Sequence, residues 1–267
     1  MPDVERHHEE IDGMPVSRLS APAEGTPTLY VHGVPNSAEM WTAFLARTGG
    51  EAPDMPGFGD SIKAATFPFS IAGYDGWIER FLDWRELERV NLVVHDWGAA
   101  ALAFAQRAPE RIERLVVINA LPLFDGYAWP RAARVFRTPL LGELAMGSIS
   151  MRLVRRVLRH ANREPLPERE LREIYTKLDF GTQRAILKLH RSARTGTLAA
   201  AGARLGEIGA PALVVWGDLD PFMPAAWGQR YAQTLGAELA AEPDAGHWPW
   251  LDRPEIIDRV AGFLAPG

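Results

Sequence analysis

The sequence predicts an α/β fold: a mostly parallel sheet with helices on both faces and a helical cap inserted between two strands. Three observations carry this reading. Short β-branched runs alternate with segments of helical apolar periodicity. The stretch Val93-Val94-His95-Asp96-Trp97-Gly98-Ala99-Ala100 passes directly from a strand pattern into a helix pattern, and between about Leu121 and Gly209 the strands stop and Arg-rich helical segments take over. The core is therefore assigned to residues 1–120 and 210–267, and the cap to 121–209.

Taken in order, the opening reads as strands around a turn at Asp12-Gly13, and Thr28-Leu29-Tyr30-Val31-His32-Gly33 as a short buried strand ending in glycine. Met40, Trp41, Phe44 and Leu45 give one apolar face to a helix from about Ser37 to Arg47. Ala52 to Ser61 is rich in turn formers and reads as a strand end with its loop. Ile71, Tyr74, Ile78, Phe81 and Leu82 mark the next helix. Val90 to Val94 is a β-branched strand, Ala99 to Ala105 a small-residue helix packed under the turn, and Leu115 to Asn119 another strand. Ala212 to Gly217 resumes the sheet after the cap. Ile256, Ile257, Val260, Phe263 and Leu264 form one side of a last helix, with Pro254 near its start.

Composition narrows the class of function. A chain of 267 residues with 47% hydrophobic content can bury one large core. A net charge of -5 gives no overall basic field for nucleic acid. Cysteine is absent, which removes disulfides, thiol catalysis and Cys-based metal sites. The first ten residues lack the basic-then-apolar order of a signal peptide, and no apolar stretch approaches the ~20 residues of a membrane span. The expectation is a soluble cytoplasmic enzyme without metal or cofactor. Its partners would be a small apolar substrate and water, with no nucleic acid or membrane, and its state monomer or homodimer.

The chemistry centres on Asp96. A strand-to-helix turn of this kind lifts one side chain to the mouth of a pocket, and serine is the usual occupant. An oxygen nucleophile that displaces a leaving group from saturated carbon stays bonded to it. Serine would leave an inert ether, whereas aspartate leaves an ester that water can cleave, so Asp96 points to carbon-halogen bonds or strained epoxides. Two further signals lie where strands should end: Trp216-Gly217-Asp218-Leu219-Asp220-Pro221 supplies an acid and Ala245-Gly246-His247-Trp248 a histidine. The order nucleophile, acid, histidine assigns His247 as the base that activates water and Asp220 as the carboxylate that orients it, with Asp218 the weaker candidate. The backbone N–H groups of Val34 and Trp97 are candidates for an oxyanion hole. The Trp97 indole, a donor without acceptor capacity, suits a departing halide.

Plainer roles compete for each residue. Asp96 could cap the following helix, and Trp97 and Trp129 could be core tryptophans. His32 and His95 read as structural hydrogen-bonders, His7 and His8 as solvated strand residues, and Arg152, Arg155, Arg156 and Arg159 as a solvent-facing helix side or an anion guide.

With these motifs in hand, the chain resembles the haloalkane dehalogenase and epoxide hydrolase branch of the α/β-hydrolase superfamily. The resemblance rests on His95-Asp96-Trp97-Gly98, on His32 to Pro35, and on Pro53 to Ser61, and covers nearly all of the chain apart from the cap. Val94 before the elbow and the spacing from His32 through Ser37 to Trp41 resemble the dehalogenases. One dehalogenase subgroup has asparagine where this chain has Val34, so the resemblance implies a second halide donor elsewhere, with Trp129 the candidate. Epoxide hydrolysis would instead need a phenol in the cap, for which Tyr127 and Tyr175 are available, with His190 near where a second tyrosine is expected. Relatives with this elbow include coelenterazine luciferases, and a fold of this kind can also serve as a non-catalytic ligand-binding protein.

Overall fold

The computed structural model describes residues 3–265. Eight strands form one sheet in the order β1-β2-β4-β3-β5-β6-β7-β8. They are β1 (Glu5–Ile11), β2 (Met14–Ala21), β3 (Thr28–Val31), β4 (Gly50–Pro53), β5 (Val90–Asp96), β6 (Ile112–Ala120), β7 (Ala212–Gly217) and β8 (Glu238–Glu242). β1 and β2 pair as an antiparallel hairpin through the Asp12-Gly13 turn, β2 pairs antiparallel with β4, and every pairing from β4 to β8 is parallel. All seven residues of β5 are buried, as a strand covered on both faces requires.

The core helices are α1 (Thr42–Thr48), α2 (Ile71–Trp84) and α3 (Ala101–Arg107). The helix expected from Ser37 to Arg47 is divided: Ala38–Trp41 is a 3₁₀ turn and α1 follows it. Glu39 O accepts both the Thr42 N–H and the Thr42 hydroxyl, the latter at 2.8 Å, which tightens that turn to i→i+3 bonding. Trp41, Phe44 and Leu45 are buried as their spacing predicts, whereas Met40 is only half-buried. In α2 the five apolar positions read from the sequence are buried together with Trp77, and Ser70 caps the helix by accepting the Gly73 N–H at 3.1 Å. The helix after Asp96 likewise opens as a 3₁₀ turn, Trp97–Ala100, before α3.

Between β6 and β7 lie α4 (Arg131–Arg137), α5 (Leu141–Gly147), α6 (Met151–Val157), α7 (Glu168–Thr176), α8 (Phe180–Ser192) and α9 (Thr197–Ala201), with no strand among the described residues. The last part of this segment is tied to α3: Gln106 donates to Ala201 O at 2.7 Å and accepts the Arg204 N–H at 2.8 Å. After β7 come α10 (Ala226–Leu235), α11 (Pro249–Asp252) and α12 (Glu255–Leu264), with Pro254 at the cap position of α12. Arg152, Arg155, Arg156 and Arg159 are all exposed, as the solvent-facing reading expects. No described helix is long and apolar enough to cross a membrane.

Candidate active site

β3, β5, β6, β7 and β8 are consecutive parallel neighbours in the sheet, and the segments that follow β3, β5, β7 and β8 supply Val34, Asp96, Asp220 and His247. The pairing of β5 with β6 shifts register between His95 and Asp96, and Asp96 turns to φ 50°, ψ −125°. A positive φ is uncommon for a residue with a side chain, and here it aims the carboxyl away from the sheet. The turn closes because Gly98 is bare: a Cβ there would stand 2.2 Å from Val31 O.

The two carboxyl oxygens of Asp96 have different surroundings. Oδ1 accepts the Val34 N–H at 2.7 Å, and the Trp97 N–H also favours the charged form. Gly33 permits this approach, since a Cβ on it would sit 2.4 Å from Oδ1. Oδ2 lies 3.9 Å from His247 Nε2, too long for a direct hydrogen bond. Burial raises the pKa of Asp96 above the ordinary carboxylate value, while His247 and the two N–H donors pull it down.

His247 Nδ1 donates to Asp220 Oδ2 at 2.7 Å. Every side of the Asp220 carboxylate is occupied: Oδ2 also accepts from Asn119 Nδ2 at 2.8 Å, and Oδ1 accepts the N–H groups of Phe222 at 2.7 Å and Met223 at 3.0 Å. Asp218, the other acid of that loop, is exposed and does not reach His247 in this way. Burial lowers the pKa of His247, but Asp220 and Asp96 outweigh it, and the net shift is upward.

The His247 loop is braced from both sides. From the core, His95 Nε2 donates to His247 O at 2.8 Å, which fixes its tautomer; burial holds it neutral, well below the usual histidine pKa. From the cap, Ala161 O accepts the His247 N–H at 2.7 Å, and the Asn162 side chain pairs with the Trp248 backbone at 2.8 and 3.1 Å. His32 is structural as well, with Nδ1 on Gly33 O and Nε2 accepting the Met55 N–H at 2.9 Å.

Above Asp96 lies a cavity of about 310 Å³ whose walls are overwhelmingly apolar, lined by residues from α4 to α8 and by Phe222. Trp97, Trp129, Tyr127, His190 and His247 all line it; Tyr175, 36% exposed on α7, does not. Trp97 and Trp129 stack with ring centroids 5.8 Å apart and planes 22° apart. Among the described residues, Trp216 is the one tryptophan whose N–H has a protein acceptor, so both cavity indoles keep theirs unengaged. The Arg137 guanidinium sits 4.6 Å from the Trp129 ring on its way to the carbonyls of His190 and Ala193.

The α/β-hydrolase fold family matches residues 26–254. The chain belongs to that family. It is 27% identical to a haloalkane dehalogenase of Mycolicibacterium paratuberculosis, over 91% of this chain and 84% of the relative. It is 24% identical to epoxide hydrolase 3 of Xenopus tropicalis, over 87% of this chain and 69% of that one. The crystal structure of the haloalkane dehalogenase DbeA from Bradyrhizobium elkani superimposes with a TM-score of 0.84 at 24% identity, over 98% of both chains. This α/β-hydrolase is thus a hydrolase of the branch in which dehalogenases and epoxide hydrolases are found.

Of the groups that sequence put forward for epoxide opening, the two that line the cavity, Tyr127 and His190, are engaged. The Tyr127 hydroxyl donates to Phe222 O at 3.1 Å, and burial together with Asp96 and Asp220 raises its pKa. His190 Nδ1 donates to Ile186 O at 2.9 Å, and burial lowers its pKa to about 4. At neutral pH its Nε2 therefore carries a lone pair and no proton. Sequence reading missed Gly33 as a steric requirement, Asn119 as a partner of Asp220, Asn162 as a brace of the histidine loop, and Arg137 against Trp129. Only Gly33 had a visible signal, its place beside Val34 in a motif already singled out.

Proposed function

We propose that this α/β-hydrolase is a haloalkane dehalogenase that uses no cofactor. The observation that carries the reading is the contrast in the cavity: two stacked indoles with unengaged N–H groups, beside a tyrosine already bonded to a carbonyl and a neutral histidine with no proton to give. A departing halide needs donors, whereas an opening epoxide needs a proton.

In the first step Asp96 Oδ2 attacks the halogen-bearing carbon. A carbon-oxygen bond forms as the carbon-halogen bond breaks, and the halide leaves with the electron pair toward the N–H groups of Trp97 and Trp129. In the second step His247 Nε2 takes a proton from water while the water oxygen adds to the Asp96 carboxyl carbon. Negative charge gathers on Oδ1, where the Val34 and Trp97 N–H groups receive it, each donor typically worth ~2.7 to 4 kcal/mol. Collapse returns the proton to the departing alkoxide and restores the carboxylate, so haloalkane and water become alcohol, halide and a proton. Asp220 stabilises the imidazolium in between.

The test replaces His247 with glutamine, which keeps a hydrogen bond available to Asp220 and cannot act as base. The variant is incubated with a brominated alkane and, separately, with an epoxide, and intact mass is measured. An alkyl adduct with bromide release is expected. A hydroxyalkyl adduct formed from the epoxide alone would move the assignment to epoxide hydrolysis. Reversible ligand binding with neither adduct would favour a non-catalytic binding protein.

A further inference from the structure

The cap carries an exposed surface that the reaction does not use. Residues 131–163 hold eight arginines and one acid, Glu143, in a chain whose net charge is -5. Arg131, Arg134, Arg152, Arg156 and Arg159 are exposed and, among the described residues, form no salt bridge. Glu143, the single acid, is already paired with Arg191 at 2.6 Å. Five large apolar side chains are exposed on the same three helices and their linker: Val135, Leu140, Leu141, Leu144 and Val157. Leu140 is 76% exposed and Leu144 70%, in a protein whose other leucines are mostly buried. Leu140 also has φ 66°, a conformation that glycine or asparagine would adopt at less cost.

Val135 and Val157 belong to the cavity wall and are exposed as well, so the cavity wall reaches this surface at both positions. We propose that the α4–α6 face of the cap docks on an anionic lipid surface, with the cavity opening toward the lipid. The two properties of the face select that partner together. Unpaired arginines are attracted by anionic headgroups, and the exposed leucines of the intervening segment gain by entering the apolar layer beneath. A nucleic acid would satisfy the arginines and leave the leucines in water. A second copy, face to face, would set two arginine clusters against each other. An apolar substrate dissolved in the lipid could reach Asp96 without crossing bulk water.

This departs from the expectation of no membrane partner, which rests on the absence of a spanning segment; a surface contact needs none. The docking is independent of which bond Asp96 attacks, and its test requires no turnover. The full chain is sedimented with vesicles of phosphatidylcholine alone and of phosphatidylcholine with phosphatidylglycerol, at low and high salt. Association with the anionic vesicles, weakened by salt, is expected. Each basic residue near such a surface is worth about a fivefold factor in partitioning, so the triple variant Arg152→Gln, Arg156→Gln, Arg159→Gln should lose roughly a hundredfold. Leu141→Ser with Leu144→Ser should also weaken association, and thermal unfolding checks that both variants remain folded. Wild-type protein left in the supernatant with anionic vesicles at low salt overturns the proposal, as does association that neither folded variant changes. A wild-type dimer that becomes monomeric on the leucine substitutions, without vesicle binding, would assign the face to a second copy.

Discussion

Asn162 and Trp248 form a two-point amide pair across the junction of cap and core: Asn162 Nδ2 donates to Trp248 O at 2.8 Å, and Asn162 Oδ1 accepts the Trp248 N–H at 3.1 Å. Trp248 follows His247, whose own N–H is held by Ala161 O at 2.7 Å. The cap therefore covers the cavity and also fixes the backbone that carries the base. Asn162→Ala would leave two buried backbone groups without partners, at a cost of ~1–3 kcal/mol each. Its expected signature is selective. Hydrolysis of the alkyl-enzyme should slow by roughly tenfold to a hundredfold, the range a small misplacement produces, while alkylation by Asp96 changes little. Quenched-flow mass analysis would then show accumulated ester, and equal slowing of both steps would contradict the assigned role.

Gly33 limits the space available to the Asp96 carboxylate. A Cβ at Gly33 would lie 2.3 Å from Asp96 Cβ and 2.4 Å from Oδ1, so Gly33→Ala must push the carboxylate off the Val34 N–H. Removing one such donor costs about 10²–10³ in rate. A fall of that size in turnover, with a melting temperature within a few degrees of wild type, is the expected result. Normal activity in the Gly33→Ala variant would mean that Val34 does not hold the reacting oxyanion.

The parts of the site legible in sequence are those whose chemistry is tied to an unusual residue in a local pattern. Asp96 stood out because serine is usual there, and Asp220 and His247 because each follows a strand in chain order. Asp220 separates from Asp218 only in three dimensions, through the burial of one and the exposure of the other. Asn119 and Asn162 were invisible for a physical reason. Their partners lie 101 and 86 positions away, and an asparagine that serves a distant carboxylate or backbone looks no different from one in a surface turn. The fold was legible wherever apolar periodicity governed it. It was less so at Ala38–Trp41 and Trp97–Ala100, where local hydrogen bonding produced 3₁₀ turns that periodicity alone does not distinguish from α-helix.

The halide assignment predicts a specific loss on removing an indole donor. Trp97→Phe keeps an aromatic ring against Trp129 and His190, whose centroids lie 5.8 and 5.0 Å away, and deletes the N–H. A hydrogen bond to a charged group is worth ~1.5–3 kcal/mol. Product inhibition by bromide should therefore weaken by about tenfold to a hundredfold. Trp129→Phe should weaken it as well, and Arg137→Gln less, because that guanidinium acts through the ring face. Unchanged bromide inhibition in both tryptophan variants would remove the anion from this site.

The pH dependence follows from the mutual influence of Asp96 and His247. Asp96 must be ionised to attack, and burial raises its pKa, so alkylation should fail on acidification at a pH above the ordinary carboxylate range. His247 must be neutral to take a proton from water. In the free protein burial lowers its pKa, but the negative charges of Asp220 and Asp96 outweigh that and raise it, so the base is protonated below a pH higher than usual for histidine. Alkylation converts Asp96 into a neutral ester and removes one of the two charges holding that proton. The His247 pKa must then fall, and the proton leaves at the stage where the base is required. Single-turnover measurements should find the acid limb of ester hydrolysis at lower pH than the His247 titration observed by NMR in the free protein. Asp220→Asn removes the other charge, so His247 should titrate lower still, while hydrolysis collapses because the imidazole loses its orienting carboxylate. A hydrolysis limb at or above the free-protein titration would show that Asp96 does not carry the alkyl group.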